Sequence, residues 1–378
     1  MKALLISPRF PWPPFTGDRL RAAIWVSALT QRGEVALVCP GGNVPERIPA
    51  SVRLFEASRS LKCGLQAGAA VILGRLPFQC LLAAPFDWKS AIAKAHAEEG
   101  PFDVTVVVLT RVHPWIKKLL TGRTLLDAVD SLKRNAGERA RAAPSFTRWL
   151  WRMEEHRMAR LDREVTKAYD PIVVVSEEEG PDFGQALAVT NGVEIHPFTP
   201  GPREFDFGFW GRFPYFANAD AALWLLNEIW PAIQTLHPEA TLVLGGADAP
   251  RSLRNLAERR GVTVISPVQN MPAFARNIRV ALMPVRYGSG QSSKVLEAAE
   301  AGCAIAGTPE ALRGLSPIAQ HSGIELEAAK LARTAVDLLI DEARRTSSAS
   351  ALRNLVETRY SRSATLARLA SIAGEETR

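Results

Sequence analysis

Lys294 and Glu297 stand three residues apart just after Gly288-Ser289-Gly290, within the stretch VALMPVRYGSGQSSKVLEAAEAGCAIAGT from Val280 to Thr308. That spacing puts both side chains on one helix face, away from the apolar Val295, Leu296 and Ala299. A Gly-rich turn at a helix start offers unpaired N–H groups and the positive end of the peptide dipole, which favour an anion such as phosphate. Beside such a turn a lysine suits the phosphates of a nucleoside diphosphate, and a glutamate suits its ribose hydroxyls. The same two residues also fit a solvated pair on a surface helix, worth about a few tenths of a kcal/mol. Taken alone, they leave both readings open.

The surrounding pattern must position these groups. Val280–Val285 has the length and apolarity of a buried strand, Ser292–Ala301 favours a helix, Gly302 stops it, and Cys303–Ala306 reads as the next strand. This is a βαβ unit. Upstream, the βα pattern runs from Phe207–Gly211 through helices at Asn218–Leu236 and Pro250–Arg260, with strands at Thr241–Leu244 and Val262–Ile265. Arg212 follows the first of these strands and would face the edge that carries Gly288 to Lys294, offering a second cation. Gly245-Gly246, after the next strand, would admit a base or a ribose.

The first half of the chain repeats the scheme. Ala3–Ser7 reads as a strand, Pro8–Asp18 as a stiffened loop, Arg19–Gln31 as a helix and Val35–Val38 as the next strand. Open α/β sheets bind ligands at the C-terminal ends of their strands, which is where this loop falls. Gly17 lets the backbone approach a ligand; Asp18 and Arg19 are the side chains of interest, although Asp18 also fits as a helix cap. A strand at Val104–Leu109 leads to His113 and a helix to Leu120, and a strand at Thr124–Leu126 leads to Asp127-Ala-Val-Asp130-Ser131. Asp18, His113 and Asp130 are the candidate catalytic groups. Asp130 equally fits as the cap of the following helix, and His113 as a structural histidine. Arg139–Tyr169 then reads as one long amphipathic helix, whose Trp149 and Trp151 lie among Arg148, Arg152, Arg157 and Arg160; a membrane-surface face is its second use.

Pro197, Pro200 and Pro202 mark a linker, dividing the chain into 1–199, 200–358 and a terminal helix in 359–378 that packs back on the first domain. At 378 residues, 47% hydrophobic and 22% charged, the chain supports two cores of ordinary size. A formal charge of +7 and a pI near 9.4 point to acidic partners, nucleotides or anionic lipid head groups. The charge is spread along the chain, which argues against nucleic acid. Cys39, Cys63, Cys80 and Cys303 form no ligand or redox spacing, and MKALLIS is too short for a signal core or a membrane span. A cytoplasmic protein is expected, working at the inner face of the plasma membrane.

The ordered series SPRFPWPPFTGDRLR, LLDAVDS, VVVSEEE, TNGVEIHPFTP, FWGRFPYFANADAALWLLNEIWP and GSGQSSKVLEAAEAG resembles the GT-B glycosyltransferases of family 4, and within it the exopolysaccharide-associated sugar transferases. The resemblance implies an α/β fold of two doubly wound Rossmann-like domains facing a cleft. It implies a retaining transfer from a nucleotide diphosphate sugar to a glycan or lipid-linked acceptor. The donor site would hold Arg212, Gly288, Ser289, Gly290, Lys294 and Glu297, and the acceptor would meet the loop of Gly17 and Arg19. No cofactor and no metal are implied, and no Asp-x-Asp motif occurs. One departure stands out: the family carries two glutamates separated by seven residues, and here Ser289 occupies the first position. That substitution motivates one alternative, a non-catalytic scaffold in polysaccharide assembly; a second, a nucleotide-sugar epimerase or hydrolase, would use the same two-domain cleft.

Overall fold

The computed structural model describes residues 1–14, 16–42, 48–287 and 291–375. The chain divides into two units, one of Met1–Asn191 with the chain from Thr365 onward, the other of Gly192–Ala364. The first unit runs β1 (Lys2–Ile6), α1 (Gly17–Thr30), β2 (Glu34–Pro40), β3 (Val52–Ala57), α2 (Leu61–Ile72), α3 (Trp88–Glu99), β4 (Val104–Val108), α4 (His113–Ile116), β5 (Thr124–Val129), α5 (Leu132–Ala142), α6 (Ser145–Ala168), β6 (Ile172–Val174) and β7 (Leu187–Ala188). Its strands form one parallel sheet in the order β3-β2-β1-β4-β5-β6-β7. Sheets of this kind are covered by helices on both faces, so their strands read as continuous apolar runs; β4, VTVVV, is buried at every position. The period of two survives inside the run. Ala3 and Leu5 enter the core of Trp25 and Leu29, whereas Leu4 and Ile6 enter the core of Trp88 and Met158 on the other face.

The second unit runs β8 (Phe205–Arg212), α7 (Phe216–Trp224), α8 (Trp230–Leu236), β9 (Leu242–Ala247), α9 (Arg251–Arg259), β10 (Thr263–Ile265), α10 (Met271–Arg276), β11 (Ile278–Met283), α11 (Ser293–Glu300), β12 (Ala304–Gly307), α12 (Ser316–Ala319), β13 (Gly323–Ile324), α13 (Ala328–Ile340) and α14 (Glu342–Arg359). Its sheet has the order β10-β9-β8-β11-β12-β13, again parallel throughout. In both units the first strand lies beside the fourth, so the order reverses there. Such a switch point opens a crevice at the C-terminal strand ends. The last helix, α15 (Arg362–Gly374), sends Leu369, Ala370, Ile372 and Ala373 into the first unit's core, and Arg123 donates to the carbonyls of Ile372 and Ala373.

Three elements differ from the sequence reading. The expected long helix is two, α5 and α6, because Pro144 has no N–H to donate and holds Ala143 extended at ψ 146°. Strand β5 continues to Val129 instead of stopping at Leu126. Asp127 therefore lies inside the strand, fully buried, because Arg21 neutralises it there. Helix α4 ends at Ile116, where a turn from Leu119 N–H to the Ile116 carbonyl replaces the expected continuation to Leu120.

Helix α6 also buries an unpaired acid. Asp162 is 2% exposed, neither carboxylate oxygen has a hydrogen-bond partner, and burial, with Asp182 nearby, pushes its pKa up to about 7. A carboxyl that holds its proton in the folded state and loses it near 4 when unfolded stabilises most in acid; that contribution drains away as pH rises towards 7. Asp162→Asn is therefore expected to be more stable than the parent at pH 8, with the gap widening by roughly 3 kcal/mol between pH 5 and pH 8. Denaturant midpoints at the two pH values measure it, and a gap that does not change with pH would refute the assignment.

Candidate donor and acceptor sites

In the second unit the site lies at the switch point between β8 and β11. Helix α11 starts one short connection beyond β11, and the side chain of its N-cap, Ser292, makes no capping hydrogen bond. Lys294 is in the first turn. Burial of its ammonium pushes its pKa below the lysine range, with Glu297 pulling the other way, and among the described residues it forms no ion pair within 4 Å. A desolvated cation whose nearest carboxylate stands beyond ion-pair distance is stabilised further by an anion that arrives to meet it. Glu297, one turn later, accepts a hydrogen bond from Trp210 Nε1 at 2.8 Å, so an indole on β8 fixes the carboxylate of α11.

The glycines of this edge admit that geometry. A Cβ at Gly211 would stand 2.6 Å from Lys294 Cε and 2.8 Å from Asn218 Nδ2, so a side chain there would push the lysine away. At Gly246, with φ 143°, a Cβ would meet the Gly211 carbonyl at 1.9 Å; only glycine lets β8 and β9 lie this close at their ends. Arg212 is placed differently from the lysine. Its Nε lies 3.4 Å from Asp248 Oδ2, with both side chains more than half exposed, which makes it a rim group. Gly288, Ser289 and Gly290 lie outside the described residues.

In the first unit, Asp18 and Asp130 lie within electrostatic reach of a residue not singled out from the sequence, Arg111. Burial lowers the pKa of the Arg111 guanidinium, and Asp130 and Asp18 are the charges that hold it up. Arg9 completes the group through an ion pair with Asp18 at 3.2 Å. Asp18 is not the helix cap: it lies in the first turn of α1, where Oδ1 accepts from the Thr16 hydroxyl at 2.6 Å and from the Arg19 N–H at 3.0 Å. The Nε atoms of Arg19 and Arg111 are buried with no hydrogen-bond partner. Gly17 has open space where a Cβ would be, so no close packing within the chain requires glycine there.

The strand ends beneath this cluster are strained. Leu109 and Val129, which close β4 and β5, have φ of 70° and 65°. A β-branched residue in the left-handed region is a rare conformation that surrounding structure must enforce. Here Asp127 Oδ1 accepts the Val129 N–H at 2.9 Å, and the Asp130 N–H donates to the Ala128 carbonyl at 2.9 Å, which closes a three-residue turn carrying Asp130. Ser131, not Asp130, caps α5, its hydroxyl accepting from the Arg134 N–H.

His113 is not brought to these groups. Its ring is buried, with Nδ1 2.9 Å from the Tyr169 hydroxyl and Nε2 3.4 Å from Glu164, which itself pairs with Lys117. Burial lowers its pKa, opposed by Glu164. Opening α4 rather than the strand-end loop turns the ring towards α6.

These sites can be set beside known proteins. Residues 204–356 match the family described as glycosyl transferases group 1. That stretch spans β8 to α14 and contains Arg212, Lys294 and Glu297. No curated protein sequence matches the chain. Among solved structures the chain is similar to the sucrose-phosphate synthase of Thermosynechococcus elongatus, at TM-score 0.74 and 15% identity over 98% of each chain. It is also similar to WaaG, a glycosyltransferase involved in lipopolysaccharide biosynthesis, at TM-score 0.65 and 16% identity over 99% of this chain and 100% of that one. Anabaena HepE in complex with UDP and glucose superposes at TM-score 0.67, with 12% identity over 98% of each chain. At these identities the likeness establishes the fold, two parallel-sheet Rossmann-like units of the GT-B type.

Within the group 1 match, the sequence singles out Lys294 and Glu297 but not Trp210 and Asn218, which the structure places beside them. Their one signal is position, at or just after the C-terminal end of the strand that neighbours β11. Arg111 was missed for the same reason: it follows β4, and only the sheet order brings β4 beside β1 and its Asp18 loop.

Proposed function

We propose that this chain is a glycosyltransferase that moves a sugar from a nucleotide diphosphate sugar to a hydroxyl of a glycan or lipid-linked acceptor, with retention at the anomeric carbon. The observation that carries the reading is Lys294, a desolvated cation without an ion-pair partner among the described residues, at an uncapped helix start on the switch point of a Rossmann-order sheet. In this reading Lys294 takes the diphosphate, Glu297, oriented by Trp210, takes the ribose hydroxyls, and Arg212 stands at the rim. As the bond from the anomeric carbon to the diphosphate oxygen breaks, fixed positive charge stabilises the leaving group. The acceptor hydroxyl forms the new bond and gives up its proton; Asp130 and Asp18 are the carboxylates proposed to handle the acceptor. The match of residues 204–356 to the group 1 family supports the donor half. The UDP in the HepE structure makes UDP the first base to test.

The test is a thermal-shift screen with UDP, GDP and ADP, followed by incubation of the matching sugar donor with and without acceptor glycans. One nucleoside diphosphate is expected to raise the melting temperature, and transfer is expected only when acceptor is present, with the anomeric configuration kept in the product. Free or epimerised sugar from donor alone would overturn the transferase reading in favour of a hydrolase or epimerase. Failure of every nucleotide to bind would overturn the donor site itself.

A further inference from the structure

Helix α2 poses a physical problem that glycosyl transfer does not explain. Its sequence, LKCGLQAGAAVI, is apolar apart from Lys62 and Gln66, yet Ala67 is its one buried residue. Leu61 is 90% exposed, Leu65 77% and Ile72 85%, and their spacing of four and seven puts them on a single face. Helices of ordinary proteins are held by burying such a face. This one is turned outward.

The patch extends onto α6. Arg157 donates from Nη1 to the carbonyls of Val71 and Leu76, and the Phe78 ring packs edge-on against Trp151, so the end of α2 and the segment after it are fastened to α6. Phe146, Trp149, Met153 and Arg157 recur at intervals of three and four and so share a helix face with that attachment point. Phe146 is 76% exposed and Trp149 63%. Trp151 does not join them as the sequence reading expected, since it is half-buried against Phe78 with the Arg139 guanidinium over its ring.

Charge selects the occupant. Neither Asp nor Glu occurs from Ala57 to Phe86 or from Arg139 to Met153, whereas Lys62, Arg75, Arg148 and Arg152 are all exposed in those segments. An outward apolar stripe set among cations, with a tryptophan beside it, matches a bilayer whose surface is anionic: the apolar tips enter the acyl boundary and the cations meet lipid phosphates. Among the described residues no helix is long and apolar enough to cross a membrane. We infer that α2, with the N-terminal end of α6, is a docking surface by which the chain lies on an anionic membrane. The inference is independent of the transfer reading.

The test uses the full chain in flotation with vesicles of phosphatidylcholine alone and of phosphatidylcholine with phosphatidylglycerol. Co-flotation is expected with the anionic vesicles, weakening as salt is raised. The double variant Leu65→Gln/Ile72→Gln should lower partitioning at least about tenfold with an unchanged melting temperature, because both side chains are exposed. Arg75→Gln/Arg152→Gln should lower binding and flatten its salt dependence. Absence of binding to anionic vesicles, or equal binding by the Leu65/Ile72 variant, would overturn the proposal. So would a dimer in solution that this variant converts to a monomer, since the face would then be covered by a second copy.

Discussion

Replacing Lys294 with alanine is expected to weaken nucleoside diphosphate binding by roughly tenfold to a hundredfold, about 1.5–3 kcal/mol for a charge-assisted hydrogen bond. Burial disfavours the charged ammonium, and among the described residues it has no ion-pair partner, so its removal takes away a burden as well as a contact. The melting temperature without nucleotide should therefore stay level or rise, while the shift produced by nucleotide shrinks. Calorimetric titration of parent and variant separates these effects. Affinity should also fall at alkaline pH sooner than an ordinary lysine would allow, because burial lowers the pKa of Lys294 and the neutral amine cannot pair with phosphate. Gly211→Ala gives a second route to the same loss. It leaves the charge in place but sets a methyl 2.6 Å from Lys294 Cε, displacing it. Unchanged affinity in both variants would remove Lys294 from the phosphate site.

Arg21→Met is expected to destabilise the first unit by about 3–5 kcal/mol, the usual consequence of leaving one member of a buried pair uncompensated. Arg21 Nε lies 2.6 Å from Asp127 Oδ2, with both side chains fully buried. The same oxygen accepts from Trp25 Nε1, and Arg21 Nη1 also donates to the Thr190 carbonyl at 3.1 Å. One guanidinium thus ties α1 to β5 and to the segment after β7. Adding Asp127→Leu should recover only part of the loss, because the N–H groups of Trp25 and Val129 would then be orphaned. The same network holds the left-handed turn at Val129 that carries Asp130. Arg21→Met should accordingly lower turnover while leaving nucleoside diphosphate affinity alone, since the donor residues belong to the second unit. Denaturant unfolding with activity and calorimetry on the same preparations measures all three. A stability loss below about 1 kcal/mol would show that the pair is dispensable.

The order of strands and helices was legible because both sheets are parallel and covered on both faces, which writes each strand as an apolar run and each crossover as a helix. Lys294 and Glu297 were legible for a related reason, since a three-residue spacing on a helix is a local geometric fact. Asp127 was misjudged because an aspartate inside a strand is improbable until its partner is known, and that partner stands 106 residues earlier. Trp210, which orients Glu297, is 87 residues from it. Nothing in α2 announces that its apolar face points outward, since an apolar helix reads the same whether covered or bare.

By itself the sequence determined the tandem α/β architecture and the helix face that offers a cation and a carboxylate at a glycine turn. Tertiary structure alone decided that β8 lies beside β11, so that Trp210, Gly211 and Lys294 meet, and that β1 lies beside β4, so that the charges of Asp18 and Asp130 act on Arg111. The physical reason is range. Periodicity and capping act over a few residues and leave their mark in the chain, whereas charge pairing and close backbone approach depend on which strands become neighbours.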